Sequence, residues 1–252
     1  HVKAGARGLS WAGAQPESKS DYRARIDTVK QPYVSHETGQ WCVFPNFNEI
    51  RKYTGVNKAK NFEIFRDILN DNHMGGQSYD FMMASGKLQA LCYKHEIEKT
   101  LRTPDYAGFQ LLALNDYSGQ GTALVGVLDV FFEEKGYINA EQFRRFCSPT
   151  VPLARIPKFV YANDETFHAD IEVSHFGAAP LQGAKTSYTI KDKFGKVYAK
   201  GTVGTQTIPI GNLCALGSVD MNLKEIDTPQ KLNLEVCIEA VSYTHLRAQR
   251  LR

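Results

Sequence analysis

The chain has 252 residues, of which 42% are apolar and 23% charged, and a formal net charge of +3. This is the composition of a globular protein with room for one large domain or two ordinary ones. The charge is too small and too evenly spread for a nucleic-acid or anionic-lipid partner, and no window holds the roughly 18 apolar residues of a membrane span. The chain opens on His1 and lacks a charged-then-apolar leader pattern, so an upstream part with any targeting signal is expected to precede it. Cys42, Cys92, Cys147, Cys214 and Cys237 form no CxxC pair, and their odd number and apolar neighbours favour buried free thiols over a disulfide framework.

Up to about Cys147, short apolar runs alternate with helical stretches. Pro32 to Glu37 is a strand candidate that ends abruptly in polar residues. A short turn or helix follows over Asn46 to Tyr53. Asn57 to Asn70 carries Phe62, Phe65, Ile68 and Leu69 at helical spacing, with Asn57 as N-cap and Gly75-Gly76 as the stop. Tyr79 to Thr103 contains a longer helix with Leu88, Leu91, Cys92, His95 and Leu101 at periodic positions, closed by Pro104. Gly108 to Leu114 is nearly continuous in apolar residues, the pattern of a strand covered on both faces, and Asn115-Asp116 closes it. Strand, helical connection, strand is a βα repeat. One more short helix spans Ala140 to Phe146, and Pro149, Pro152 and Pro157 mark a linker.

Beyond Pro157 the period changes to two. Lys158–Tyr161, Phe167–Val173, Thr186–Ile190, Val197–Ala199, Val219–Leu223 and Lys231–Val236 alternate between Gly-, Asp-, Asn- and Pro-containing turns. Short strands with regular turns and no helix predict an antiparallel sandwich of immunoglobulin type. Ser242 to Arg252 breaks the alternation, turns basic, and is read as a non-native tail outside the fold.

Glu37 stands where a strand gives way to a loop, the place where barrel enzymes carry catalytic groups. A retaining glycosidase needs two carboxyl groups about 5–5.5 Å apart, one of them an ionised nucleophile. Spacing alone leaves an ordinary loop carboxylate as the more economical reading of Glu37. Trp41 and Phe44 could offer aromatic faces to a sugar ring, and Trp11 could do the same or pack on the surface. His36, next to Glu37 on an alternating strand, points either away from a pocket as a structural residue or towards it as a ligand contact. Glu133-Glu134, Glu96 and Glu98 have the look of solvated faces or ion pairs. An EF-hand register on Gly136 fails because Phe131, Lys135 and Gln142 fall where calcium needs carboxylates. Gly119-Gln120-Gly121-Thr122 lacks the lysine of a phosphate loop. The histidines His73, His95, His168 and His175 are dispersed, against a metal site.

The stretches QPYVSHETGQWCVFPNFNEIRKYTG and LQALCYKHEIEKTLRTPDYAGFQLLALNDYSGQGTALVGVLDVFFEEKGY resemble the end of the catalytic domain in glycoside hydrolase family 2, in its β-galactosidase-like Bacteroidetes branch. The resemblance runs from about Ala6 to Leu234. It implies α/β plus all-β architecture: residues 1–150 as the C-terminal part of a (β/α)8 TIM barrel, 151–241 as an immunoglobulin-like antiparallel β-sandwich, and 242–252 as the tail. It puts Glu37 at the nucleophile position ending the seventh strand, and Asn115, Asp116 and Tyr117 at the end of the eighth, facing the sugar with His36, Trp41 and Phe44. Two departures bear on specificity: Glu37-Thr38-Gly39 replaces the more usual Glu-Tyr-Gly or Glu-Tyr-Ala, and no tryptophan ends the eighth strand.

The family's acid/base glutamate is expected upstream of His1, because Asn48-Glu49, the Asn-Glu pair here, falls in a helical stretch. The implied substrate is an oligosaccharide or polysaccharide-derived glycoside, with no cofactor, in a periplasmic or secreted bacterial protein. A non-catalytic carbohydrate-binding protein on the same fold is the alternative. A sugar-binding role for the sandwich aromatics Phe159, Tyr161, Phe167 and Tyr188 is less favoured, because their alternating positions suit a core.

Overall fold

The computed structural model describes residues 2–3, 15–117, 121, 124–240 and 243–250, with backbone alone for 2–3 and 243–250. The chain order is β1 (Val2–Lys3), α1 (Arg23–Ile26), β2 (Tyr33–Thr38), a 3-10 turn (Phe47–Lys52), α2 (Lys60–Asp71), a second 3-10 turn (Gly75–Gln77), α3 (Ser78–Leu101) and β3 (Tyr106–Leu111). It continues with α4 (Ala140–Arg144), β4 (Thr150–Arg155), β5 (Thr166–His175), β6 (Leu181–Asp192), β7 (Val197–Ile208), β8 (Gly211–Asn222), β9 (Leu232–Ala240) and β10 (Tyr243–Arg250). Two compact units result. One holds Tyr33–Glu96 and Gly108–Phe143 with β1; the other gathers residues 15–32, Ile97–Ala107 and 144–250.

In the first unit β2 lies between β1 and β3, and the β1–β2 pair is parallel. The helix expected from Asn57 begins at Lys60, after Ala59, which has no side chain to cap it. Only Phe62 and Leu69 of its apolar residues are buried, while Ile68 is 54% exposed. β3 is shorter than the apolar run predicts and half exposed, not covered on both faces. In α3 the expected Leu88 and Leu91 are exposed. Cys92 and His95 are buried as expected, and a further buried stripe is Met82, Gly86, Gln89, Tyr93 and Glu96, spaced by four and three residues so that all share one face. Gly86 belongs to it because the Tyr137 ring sits where a Cβ would go. Small apolar clusters complete the interior: Val43, Met82 and Tyr137, and Ala59, Phe62 and Leu124.

The second unit is a β-sandwich. A four-stranded sheet (β10-β9-β6-β7) and a three-stranded sheet (β4-β5-β8) are antiparallel throughout. Their facing sides share one core that includes Ala169, Ile171, Val173, Ile190, Val219, Val236 and Ile238. The sequence pattern underestimates this unit in three places. Pro152 belongs to β4 and not to a linker, tolerated because β4 is an edge strand where a missing N–H costs no ladder bond. β7 and β8 run twelve residues each, through glycine-, threonine- and serine-rich stretches that lack strong alternation. Residues 243–250, expected outside the fold, pair with β9, whose edge otherwise presents unpaired backbone groups. In the opposite direction, Lys158–Tyr161 is not a strand.

Candidate functional site

Glu37 occupies the last turn of β2 with φ of 58°. That left-handed conformation is uncommon for a residue with a Cβ and costs roughly 1–3 kcal/mol, which surrounding contacts must sustain. The carboxylate is partly exposed, its side chain 39% accessible. Gln40 Nε2 donates to Glu37 Oε2 at 3.0 Å, and His36 Nε2 lies 3.8 Å from Oε1. The other His36 nitrogen, Nδ1, is 3.0 Å from Oε1 of Gln110 on β3. His36 and Glu37 therefore face one another, because the φ of Glu37 breaks the alternation that would otherwise send them to opposite faces. Beneath the turn, the Ser35 and Thr38 hydroxyls are bonded to each other at 2.9 Å in the interior.

The turn is anchored from α3. Gly39, with φ of 90°, presses its backbone against Tyr93: a Cβ there would lie 1.9 Å from the ring. Glu96 receives the Gly39 N–H on Oε2 at 3.0 Å and the Trp41 indole N–H on Oε1 at 3.1 Å. Gln89 donates to the Trp41 carbonyl at 2.7 Å and to that of Val125 at 2.9 Å. The Tyr93 hydroxyl donates to the Val125 carbonyl at 2.8 Å, and burial, ahead of the charges of Glu96 and Asp116, raises its pKa so that it stays a donor. The same burial pushes the Cys92 thiol up to about 12, so this cysteine is inert at neutral pH. Phe44 packs edge-on to Phe47 and Phe81. Glu96 and Glu98, expected on solvated faces or in ion pairs, are buried, with Glu96 only 2% exposed and Glu98 paired with Arg102 at 3.6 Å.

The backbone of Leu112 donates to the Thr38 carbonyl at 2.9 Å, joining the end of β2 to the segment after β3. Asn115, Asp116 and Tyr117 follow, and the structure separates their roles. Tyr117 is exposed, and Asn115 is partly exposed with its amide on the Asp116 carbonyl. Asp116 is buried: Oδ1 accepts from Gly126 N–H at 2.9 Å, and Oδ2 is ion-paired with Lys135 at 2.6 Å. Burial raises the Asp116 pKa, with Lys135 and the Gly126 bond opposing the rise. Its carboxylate is thus used within the fold and is not presented to a ligand. Gly126 is obligatory here, since a Cβ would meet the Asn115 backbone at 2.2 Å.

Close by in the same network, Lys52 bridges Asp129 at 2.6 Å and Glu133 at 2.8 Å. Glu49, 1% exposed, has one carboxyl oxygen with no hydrogen-bond partner. Burial, then the charges of Asp129 and Asp116, lift its pKa to about 7. No pattern in the sequence marks Glu49 as unusual; only its burial does.

Trp11 and residues 119, 120 and 122 of the glycine-rich turn lie outside the described residues. Among the cysteines, Cys92 is buried and Cys42 exposed. In the sandwich, Tyr161, Phe167 and Tyr188 pack against the core. Phe159 is 44% exposed and lines a cleft of about 830 Å³ together with Tyr161, Phe167, Met221 and Leu234. No described helix is long and apolar enough to cross a membrane.

A family model described as "Domain of unknown function (DUF8488)" matches residues 165–245, within the sandwich. Glycoside hydrolases are among the solved structures this chain resembles. The exo-chitosanase CsxA of Amycolatopsis orientalis aligns at 13% identity and a TM-score of 0.39, over 75% of this chain and 21% of its own. A β-glucuronidase of Parabacteroides merdae aligns at 14% identity and a TM-score of 0.29, over 38% of this chain and 13% of its own. The sporulation control protein Spo0M of Bacillus subtilis is similar at 14% identity and a TM-score of 0.25, over 40% of this chain and 49% of its own. The chain thus spans about a fifth or less of the length of the two hydrolases. No curated protein matches it.

Proposed function

We propose that this chain is the nucleophile-bearing part of a retaining β-glycosidase, related to glycoside hydrolase family 2 and β-galactosidase-like in substrate. The observation that carries the reading is Glu37, a partly exposed carboxylate held at φ 58° where a strand ends. Such strain in a non-glycine residue concentrates at functional sites. The parallel β1–β2 pair and the helices after β2 suit a segment of a (β/α)8 barrel, and we read the seven-stranded sandwich as immunoglobulin-like.

In this mechanism a Glu37 oxygen attacks the anomeric carbon, and the bond to the leaving oxygen breaks with its electron pair on that oxygen. An acid from a segment preceding this one supplies the proton, and water then hydrolyses the glycosyl ester. Trp41 stacks on the sugar while Asn115, Tyr117 and His36 offer polar contacts. Asp116 serves by fixing the loop that carries Asn115 and Tyr117.

The test is labelling of the longer protein that carries this segment, using 2,4-dinitrophenyl 2-deoxy-2-fluoro-β-glycosides and peptide mass spectrometry. A covalent sugar on Glu37 is the expected result, and the glycoside that labels identifies the substrate class. A label on another residue refutes the assignment. No label, together with tight binding of intact oligosaccharide, favours the non-catalytic carbohydrate-binding protein.

A further inference from the structure

The turn that carries Glu37 is held by a buried acid on a neighbouring helix, and that acid is joined to two different parts of the turn at once. Glu96 accepts the backbone N–H of Gly39, two residues after Glu37, and the indole N–H of Trp41, four residues after it. Each carboxyl oxygen takes one donor, at 3.0 and 3.1 Å, in a position 2% exposed. Hydrogen bonds to a charged acceptor are stronger than neutral ones, and burial strengthens them further. The first bond holds the backbone just past the strained Glu37. The second leaves Trp41 little freedom of ring rotation, because its indole nitrogen is tethered while Gln89 holds its carbonyl.

From this geometry we infer that Glu96 is a positioning residue for the site, setting the Glu37 turn and the Trp41 ring together for one sugar. The inference rests on the glycosidase reading for its reaction, but its geometry is tested separately. Glu96 touches no substrate. It converts two independent loop positions into one rigid unit, and a preorganised site gains rate because reacting atoms need not be ordered at the moment of reaction. Gln in its place keeps shape and one acceptor, yet its NH₂ group cannot accept. Either the indole or the Gly39 N–H then loses its partner.

The first measurement is the indole N–H resonance of Trp41 in this chain, assigned by its loss in Trp41→Phe. Glu96→Gln is expected to shift that resonance upfield, and Glu96→Asp is expected to restore part of the shift. Trp41 indole and Gly39 amide resonances both unmoved by Glu96→Gln overturn the inference.

The second measurement is the rate and affinity of labelling by the fluoroglycoside in the longer protein. Glu96→Gln is expected to slow labelling roughly 10- to 100-fold, with a smaller change in affinity, as small misplacements of a reacting group do. The double variant with Trp41→Phe should be less impaired than the product of the two singles, since they share one contact. Fully multiplicative effects would overturn the inference even if Glu96→Gln weakens the fold, because instability alone predicts no coupling to Trp41. If the resonance moves but the wild-type protein takes no label, the positioning geometry stands and the glycosidase reading falls.

Discussion

The sandwich buries Ile171, Val173, Ile190, Leu234, Val236 and Ile238 against one another, whereas the unit around α3 buries Gln89, Glu96, Asp116, Lys135 and Glu49 beside a few small apolar clusters. The first interior is held by exclusion of apolar surface from water, which is non-directional and tolerates any residue of the right volume. The second depends on directional bonds, in which each partner is needed because an orphaned buried charge is costly. A directional interior fixes the shape of the turns attached to it. The Glu37 turn lies in the unit of this second kind.

Breaking the polar interior should give the largest effect. Lys135→Met strands the Asp116 carboxylate without its cation and is expected to cost about 3–5 kcal/mol in denaturant unfolding. The double variant Lys135→Met/Asp116→Leu should recover most of that loss. If it does not, the pair stabilises the unit by more than mutual compensation.

The matching test in the sandwich is Ile171→Ala, which leaves a cavity in the shared core and should cost about 2–5 kcal/mol. No pH dependence should accompany it, since the residues around the cavity are apolar. A strong pH dependence would blur the contrast between the two interiors.

Glu49 sharpens the contrast through pH. Its folded pKa of about 7 lies above the usual carboxylate value, so between the two the native state binds more protons than the unfolded state. Its stabilising contribution is complete below pH about 4.5, falls as pH rises, and is gone above about 7. The change is on the order of 3–4 kcal/mol from the size of the shift. Glu49→Gln should remove this slope and stabilise the unit at pH 7.5, measured by thermal unfolding across pH 4.5 to 7.5. An unchanged slope would mean that Glu49 is not the group responsible.

Local pattern was a good guide where burial follows period. β2, the 3-10 turn at Phe47–Lys52, and β5, β6 and β9 sit where alternation and turn residues place them. It failed on α3, where Leu88 and Leu91 look like a buried face and are exposed, while glycine, glutamine and glutamate fill the buried stripe. Nor did it show that Glu96, Glu98 and Glu49 are buried. The position of Glu37 at a strand end was readable from the abrupt change to polar residues. Its left-handed φ, its facing of His36 and the anchoring of Trp41 were not.

By itself, the amino-acid sequence determined where several of the strands and helices lie, the change from a mixed region to an all-β region, and the strand-end carboxylate worth testing. Those features are local, set by side-chain periodicity and by the conformational preferences of glycine and proline. Only the tertiary structure decided which acids are buried, that Asp116 is committed to Lys135, and that Glu96 joins Gly39 to Trp41. Burial and pairing of a charged group depend on partners tens of residues away, brought together only when the chain packs. No local pattern encodes the removal of water that makes those partners matter.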